Sequence, residues 1–444
     1  MSALYFYDDA RARQFEPFAL TRPASELRAG TSLIRRRWEL VTSLKSAGFI
    51  SSAHLEHFEE GESPPALGPK AEIPAGSVLV NSRCVIPLDL KLDHFDLLMC
   101  DGVACAVKLA RALPASQFAN GSVDIGSIQT SLGGKKVKAH WINDVWDYVA
   151  QLNEQLLEDI PLRAKLIQGT VKTTATIVGE QGVFVEEGAE IGPNVVLDAT
   201  AGPILIRTGA VVAPFTYLVG PVYVGRGSKI LGDRVFQSSI GDHCKVRGEV
   251  SNTIFLGHAN KSHSGFVGHS YLGRWVNLGA LTTTSNLKNT YGPVQLWTPS
   301  GIRSTGQQFV GTLFGDHGGG VRSSPPHLIP RDDVSEDHPA AFVRAAVGDD
   351  DVCAIDGFLR SVGRRHLAHS PTASNFHRRP ALQDAVEIEI GNPLRDGLHR
   401  GGAGIDAEYV AARIDTRDLD PAREESAVEG NGVSAATPQY YRRY

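Results

Sequence analysis

From Val185 to Ser285 the chain places an apolar residue at every sixth position. Val185, Ile191 and Leu197 set the beat. After a short offset Ile206, Val212, Leu218, Val224, Ile230 and Phe236 keep it, often with glycine next. An amphipathic helix repeats at three to four residues and a half-buried strand at two, so neither fits. A hexad with one inward aliphatic residue followed by small, turn-forming residues predicts a β-helix, three hexads to a coil, each coil covering its neighbour's apolar edge. Scattered valines in a sandwich would not give six unbroken hexads. Ile240 with Val246, and Leu272 with Leu278, resume the beat further on.

With 444 residues there is length for two or three domains, and no metal or disulfide staple is needed to build a core. A net charge of -5 and an isoelectric point near 6.3 argue against a nucleic-acid surface. Five widely spaced cysteines (Cys84, Cys100, Cys105, Cys244, Cys353) without a CxxC pair point to a reducing compartment rather than a disulfide framework or zinc site. Met1 to Leu20 lacks the apolar core of a signal peptide, and no apolar run is long enough to span a bilayer. The expectation is a soluble, cytoplasmic protein.

Residues 1–165 read as an α/β domain, with apolar runs at Leu4–Tyr7, Ser77–Val80 and Asp96–Met99. After the first run come Arg28, Gly30 and the basic segment Arg35-Arg36-Arg37-Trp38. A strand, a turn carrying Arg and Gly, and a helix start can hold a phosphate; the same residues can equally form a solvated helix face. Residues 51–76 are rich in Glu, Pro, Gly and Ser and predict an exposed excursion. Ile142, Val145, Trp146, Val149, Leu152, Leu156 and Ile160 predict an amphipathic helix that closes the domain and links it to an independently folding β-helix, 166–317. The beat breaks between Arg247 and Gly265, and loops thrown out of a rigid coil are where a site would sit. Beyond His317 the hexads stop and lysine vanishes from the sequence, leaving Arg, Asp, Ala, Gly, His and Pro without a core period. Residues 318–444 thus read as a poorly structured tail. Either a frameshift near His317 and Gly318 or a fused third domain would account for it.

The hexads, Gly268-His269-Ser270-Tyr271-Leu272-Gly273 through Ala280, and Ser285-Asn286-Leu287-Lys288-Asn289 resemble the GlmU-related bifunctional sugar-phosphate enzymes. Leu20-Thr21-Arg22-Pro23, Leu27-Arg28-Ala29-Gly30 and Trp38 are similar to a divergent bacterial sugar nucleotidyltransferase branch of that family. The resemblance covers residue 1 to about 316 and implies a shortened, Rossmann-like nucleotidyltransferase domain followed by a left-handed parallel β-helix N-acetyltransferase in a homotrimer. It implies acetyl-CoA as acyl donor, and Mg2+ with UTP or another nucleoside triphosphate for the N-terminal domain. By motif the acetyltransferase base falls on His263, five residues before Gly268 and fourteen before Asn277, with Glu249 as the active-site acid. Asn277 and Asn286 match substrate contacts, Ala280 the acetyl-CoA thioester position, and Arg28, Gly30 and Arg35 the nucleotide loop. Phe266 stands where better-known relatives have tyrosine, and Val80-Asn81-Ser82-Arg83 offers no acid where they place a metal ligand. Asp8, Asp9 and Asp101 are the remaining candidates, and the metal ligands stay unassigned.

The chemistry asks for such groups on its own account. An amino sugar is protonated at neutral pH and must lose a proton as it attacks a thioester, which suits a neutral histidine. A carboxylate can fix the tautomer of that histidine, while asparagines and backbone N–H groups can hold a phosphate and an oxyanion. Two functions follow: an enzyme making a nucleotide sugar such as UDP-N-acetylglucosamine for envelope polysaccharide, or a catalytically degenerate β-helix trimer that scaffolds or binds sugar nucleotides.

Overall fold

The computed structural model describes residues 2–92, 94–128, 134–167 and 174–320, together with the backbone of three two-residue strands, 342–343, 388–389 and 413–414. Residues 1–365 and 366–444 are separate compact units. Apart from 318–320 and those strands, the tail on which the frameshift expectation rests lies outside the described residues.

In the N-terminal part, strand Leu4–Tyr7 is buried along its whole length. With a side-chain period of two, Leu4 and Phe6 enter one apolar cluster and Tyr5 and Tyr7 the other, so this strand is covered on both faces. It pairs in parallel with Ser46–Ile50 on one side and Val78–Asn81 on the other. Val103–Lys108 and Leu97–Cys100 add antiparallel neighbours, and Lys135–Lys136 completes a six-stranded mixed sheet. Only the first crossover contains an α-helix, Ile34–Thr42, which drives Trp38 into the core. The second runs through residues 51–77 by way of the 3-10 turn Ala53–Leu55 and strand Glu72–Ile73. This is the shortened Rossmann-like domain expected.

The closing helix is Leu152–Ala164, preceded by the short turn of helix Asp147–Ala150. It starts later than the apolar spacing from Ile142 suggests, because His140–Trp141 is taken up as a strand against Cys84–Val85. Leu152, Leu156 and Ile160 are fully buried, one helical turn apart.

From Thr176 the chain winds a parallel β-helix whose strands stack into three sheets. The hexad residues form three inward columns. The first runs Leu197, Leu218, Val235, Val250, Val267; the second Ile206, Val224, Ile240; the third Val212, Ile230, Val246. One beat residue slips: Val235 points inward and Phe236 outward, beneath the Arg234 guanidinium at 4.4 Å from its ring centre. Beyond Asn277–Leu278 the chain leaves the coil and makes a hairpin, Gln295–Thr298 with Gly301–Ser304. It rejoins at Leu313–Phe314.

The β-helix keeps an apolar bore of its own, but a further core cluster is shared between it and the N-terminal part. The outward row of the second sheet includes Leu205, Tyr223, Ile254, Tyr271 and Leu313, and these five belong to the same apolar cluster as Phe6, Trp38 and Leu156. Beside the expectation of two independently folding halves stands this one shared cluster, formed because that face of the coil is itself apolar. The Tyr271 hydroxyl accepts the Arg28 N–H at 2.7 Å and donates to the Arg28 carbonyl at 3.2 Å. Ser239 Oγ donates to the Gly30 carbonyl at 2.7 Å. Buried Arg22 bridges Asp316 and Glu60, each at 2.8 Å, and Glu60 also pairs with Arg274 at 2.7 Å.

Candidate functional site

On the first sheet of the β-helix the outward residues in neighbouring strands are Tyr217, Arg234, Glu249 and Phe266. With Phe215, Asp233, Gly248, Ser264 and Gly265 they line an open hollow of about 670 Å3. Its walls are aromatic: Arg234 lies 5.7 Å from the ring centre of Tyr217, whose hydroxyl donates to Asp198 Oδ2 at 2.7 Å. Phe215 is 75% exposed and held at a positive φ of 62°, a conformation a bulky side chain seldom takes, at the corner where the third sheet turns into the first. The hollow therefore combines a cation, two carboxylates and apolar ring faces.

His263 sits in the turn that enters strand Phe266–Gly268 and is exposed beside Ser264, at the rim. Glu249, also exposed, lies directly across from Phe266 on the neighbouring strand. The next coil crosses the same corner: Leu281 N–H donates to the Ser264 carbonyl at 3.0 Å, and exposed Ala280 is the residue before it. Asn277 is exposed on the adjoining third sheet, accepting from Asn260 Nδ2 at 2.8 Å. His263, Glu249 and Ala280 thus gather around one corner, with Asn277 on the sheet next to it. Asn286 is at a different corner, where its amide meets His269 Nδ1 at 2.9 Å. Burial pulls the His269 pKa down and its ring stacks on Phe309.

The sequence reading missed Arg234, Tyr217 and Phe215. Their signal is the outward position between beats, which the inward hexad rule does not cover. It missed Lys261 as well, a buried lysine beneath the corner whose ammonium donates to the carbonyls of Arg247 and His263, both at 2.8 Å.

In the N-terminal part, the carboxyl ends of the parallel strands are where an open α/β sheet binds its ligand. Asp8 and Asp9 follow Tyr7 there. Asp8 is buried, accepting from Ser51 Oγ at 2.6 Å and the Ala24 N–H at 3.1 Å, and desolvation pushes its pKa up. Asp9 receives Arg83 on both oxygens at 2.8–3.0 Å and Asn81 at 2.9 Å; these contacts outweigh its burial and hold it below the usual carboxylate range. Asp101 lies in the exposed hairpin turn after Cys100. This donor set does not fit Mg2+, because a guanidinium already occupies the cation position and the other strand-end acid is driven toward its neutral form.

Arg28, Gly30 and Arg35 are all buried. Arg28 donates to the Thr31 carbonyl at 2.8 Å and lies over the Tyr223 ring, while Arg35 pairs with Glu26 at 2.5 Å and Glu39 at 3.2 Å. A Cβ on Gly30, which has a positive φ of 59°, would meet Asp159 and Arg37. A phosphate would have to displace these protein partners.

Among the described residues no helix is long and apolar enough to cross a membrane, and Cys84, Cys100, Cys105 and Cys244 are free and buried.

A mixed α/β domain joined to a parallel β-helix is the class this architecture defines. Residues 4–166 match the family model described as sugar nucleotidyl transferase. The bifunctional protein GlmU of Azoarcus sp. (strain BH72) is 32% identical over 139 residues, which is 29% of this chain and 28% of that protein. GlmU of Desulfitobacterium hafniense (strain DSM 10664 / DCB-2) is 28% identical over 153 residues, covering 29% and 33%. GlmU of Acaryochloris marina (strain MBIC 11017) is 24% identical over 171 residues, covering 32% and 37%. Residues 4–166 are thus similar to the sugar nucleotidyl transferase family, and the chain spans between 28% and 37% of the length of these GlmU proteins.

Proposed function

We propose that the β-helix part, 166–317, transfers an acetyl group from acetyl-CoA to the amine of a hexosamine 1-phosphate. The N-terminal part, 1–165, handles the sugar phosphate and nucleotide, so that the product is a nucleotide sugar such as UDP-N-acetylglucosamine. The observation that supports this best is the corner itself, where Glu249 lies across from Phe266 and the Leu281 N–H bonds the Ser264 carbonyl, so that His263 and Ala280 are chain neighbours of the hollow that holds Arg234. In this reading Arg234 takes the phosphate and Phe266 packs on the sugar ring. His263 accepts the proton that the amine gives up on attacking the thioester carbonyl, and Glu249 steadies the resulting imidazolium. The C–N bond forms, the C–S bond breaks, and CoA leaves as the thiol. Asn277 serves as a polar contact and Ala280 lies against the thioester, while Asn286, at the other corner, would reach only a different part of the substrates. A hollow this open is walled on one side only, so a second copy completes it in a homotrimer of cytoplasmic enzyme.

Thiol release from acetyl-CoA with glucosamine 1-phosphate tests the reading. His263→Ala should lower turnover by about a hundredfold or more, the usual loss for a general base. Equal rates with and without that imidazole would refute it.

A second reading keeps the β-helix as a scaffold and the N-terminal part as a sugar-nucleotide binder. The Arg83–Asp9 pair at the strand ends favours it, since the same position would serve a metal. If Arg28, Gly30 and Arg35 bind a nucleotide, titration with UTP should show saturable heat that is the same with Mg2+ and with a chelator present. Heat that appears only with Mg2+ would count against binding without metal-assisted transfer.

A further inference from the structure

The inward column of the third sheet runs Val212, Ile230, Val246, and its next member is Lys261, followed by Leu278. A position that is aliphatic in the neighbouring coils carries an ammonium here, 1% exposed. Among the described residues no carboxylate forms an ion pair with it. Taking an unpaired ammonium out of water is costly, and an apolar isostere would suit the column better. The group instead spends its donors on two carbonyls. Arg247 O belongs to the turn that runs through Gly248 to Glu249; His263 O belongs to the turn that runs through Gly265 to Phe266. The fold makes room for this: Gly248 has a positive φ of 98°, and a Cβ there would sit 2.8 Å from the Lys261 Nζ and 2.5 Å from the Gly265 carbonyl.

We infer that Lys261 is a positioning residue, whose ammonium, from inside the coil, ties the turn carrying Glu249 to the turn carrying His263 and so sets the separation of carboxylate and imidazole. This rests on the acetyl-transfer reading for its consequence in turnover, but the tether itself is a property of the corner. Lys261 touches neither substrate nor the reacting atoms. It acts through backbone carbonyls, and removing its donors frees both turns at once.

The test compares Lys261→Met, which keeps length without donors, and Lys261→Gln, which keeps a donor without the charge, in the full chain. Two readouts are taken. One is kinetics with acetyl-CoA and glucosamine 1-phosphate; the other is hydrogen exchange at the Gly248, Glu249, Ser264 and Gly265 amides, which needs no turnover. The Met variant should lose about tenfold or more in kcat with KM within about twofold, the pattern of a displaced catalytic group rather than lost substrate binding. Exchange should quicken at the two turns while the coils around Ile230 and Leu272 stay protected, and Gln should fall between Met and wild type. Unchanged kcat and unchanged corner exchange in the Met variant would overturn the inference. If wild-type protein shows no acetyl transfer, the functional reading fails. Corner exchange alone then judges the tether, with faster exchange supporting it and unchanged exchange refuting it. If the Met variant does not fold, the Gln variant is judged by the same criteria.

Discussion

Lys261 gives the clearest physical signature among single residues. Burial holds its pKa down to about 8 against an ordinary 10.5, with Asp233 opposing the shift. The unfolded chain therefore binds that proton more tightly than the folded one, and the lysine's contribution to stability rises with pH between about 8 and 10.5 and is flat below. Tyrosines and cysteines titrate in the same range, so the measurement is the difference in urea midpoint between wild type and Lys261→Met at pH 7.5 and pH 10. A difference that does not move in favour of wild type at the higher pH would contradict the burial argument. Tyr271 makes a second case: its hydroxyl both accepts from and donates to the backbone of Arg28 in a fully buried setting. Tyr271→Phe should cost about 1–3 kcal/mol in urea unfolding, because two buried backbone groups lose their partner. The motifs around both residues were plain in the sequence, but their use was not. Arg28, Gly30 and Arg35 read as a phosphate loop because Arg beside Gly before a helix looks the same whether it faces solvent, a nucleotide or a protein partner. Only the tertiary fold shows that Tyr223, Tyr271 and Ser239 stand opposite Arg28 and Gly30, and that Glu26 and Glu39 take Arg35.

Secondary elements were legible wherever one period governed them. The hexad beat gave the inward columns of the β-helix because each inward residue meets its equivalents in the neighbouring coils. It failed at Phe236, where the chain turns through the positive φ of Asp233 and an apolar neighbour, Val235, can fill the bore instead. The same beat hid the outward row Tyr217, Arg234, Glu249 and Phe266, which follows no apolar rule. The closing helix began late because strand pairing of His140–Trp141 competed with helix formation. The site corner depends on glycine in a way that can be measured. Gly265 has a positive φ of 135°, and a Cβ there would run into the Thr282 carbonyl of the next coil. Gly265→Ala should destabilise the protein by more than the roughly 1 kcal/mol of an ordinary glycine substitution, and should displace His263 as well. A variant with wild-type thermal midpoint would mean that the coil above can yield.

The whole molecule, through residue 320, is held by a seam that neither half shows in its own sequence. Two amphipathic parts were expected to fold apart, joined by a helix, since each has its own period and the linker separates them. The structure instead puts Leu205, Tyr223, Ile254 and Tyr271 into the N-terminal core and buries Arg22 between Glu60 and Asp316. A shared apolar cluster couples the unfolding of the two parts, since releasing one exposes the other's buried face. Calorimetry of the full chain should therefore give one cooperative transition for residues 1–320, not a separate one for the β-helix. Asp316→Ala sharpens the test: it leaves the buried Arg22 guanidinium with Glu60 alone, and breaking a buried pair from one side costs about 3–5 kcal/mol. Because Arg22 belongs to the N-terminal part and Asp316 to the last described coil, that loss should move the melting of both parts together. This can be followed through near-ultraviolet circular dichroism of Trp38, Trp141 and Trp146, in a background with Trp275→Phe and Trp297→Phe, and far-ultraviolet signal from the coils. Two resolved transitions, with only one displaced by the substitution, would show that the seam is a contact between independent domains and not a common core.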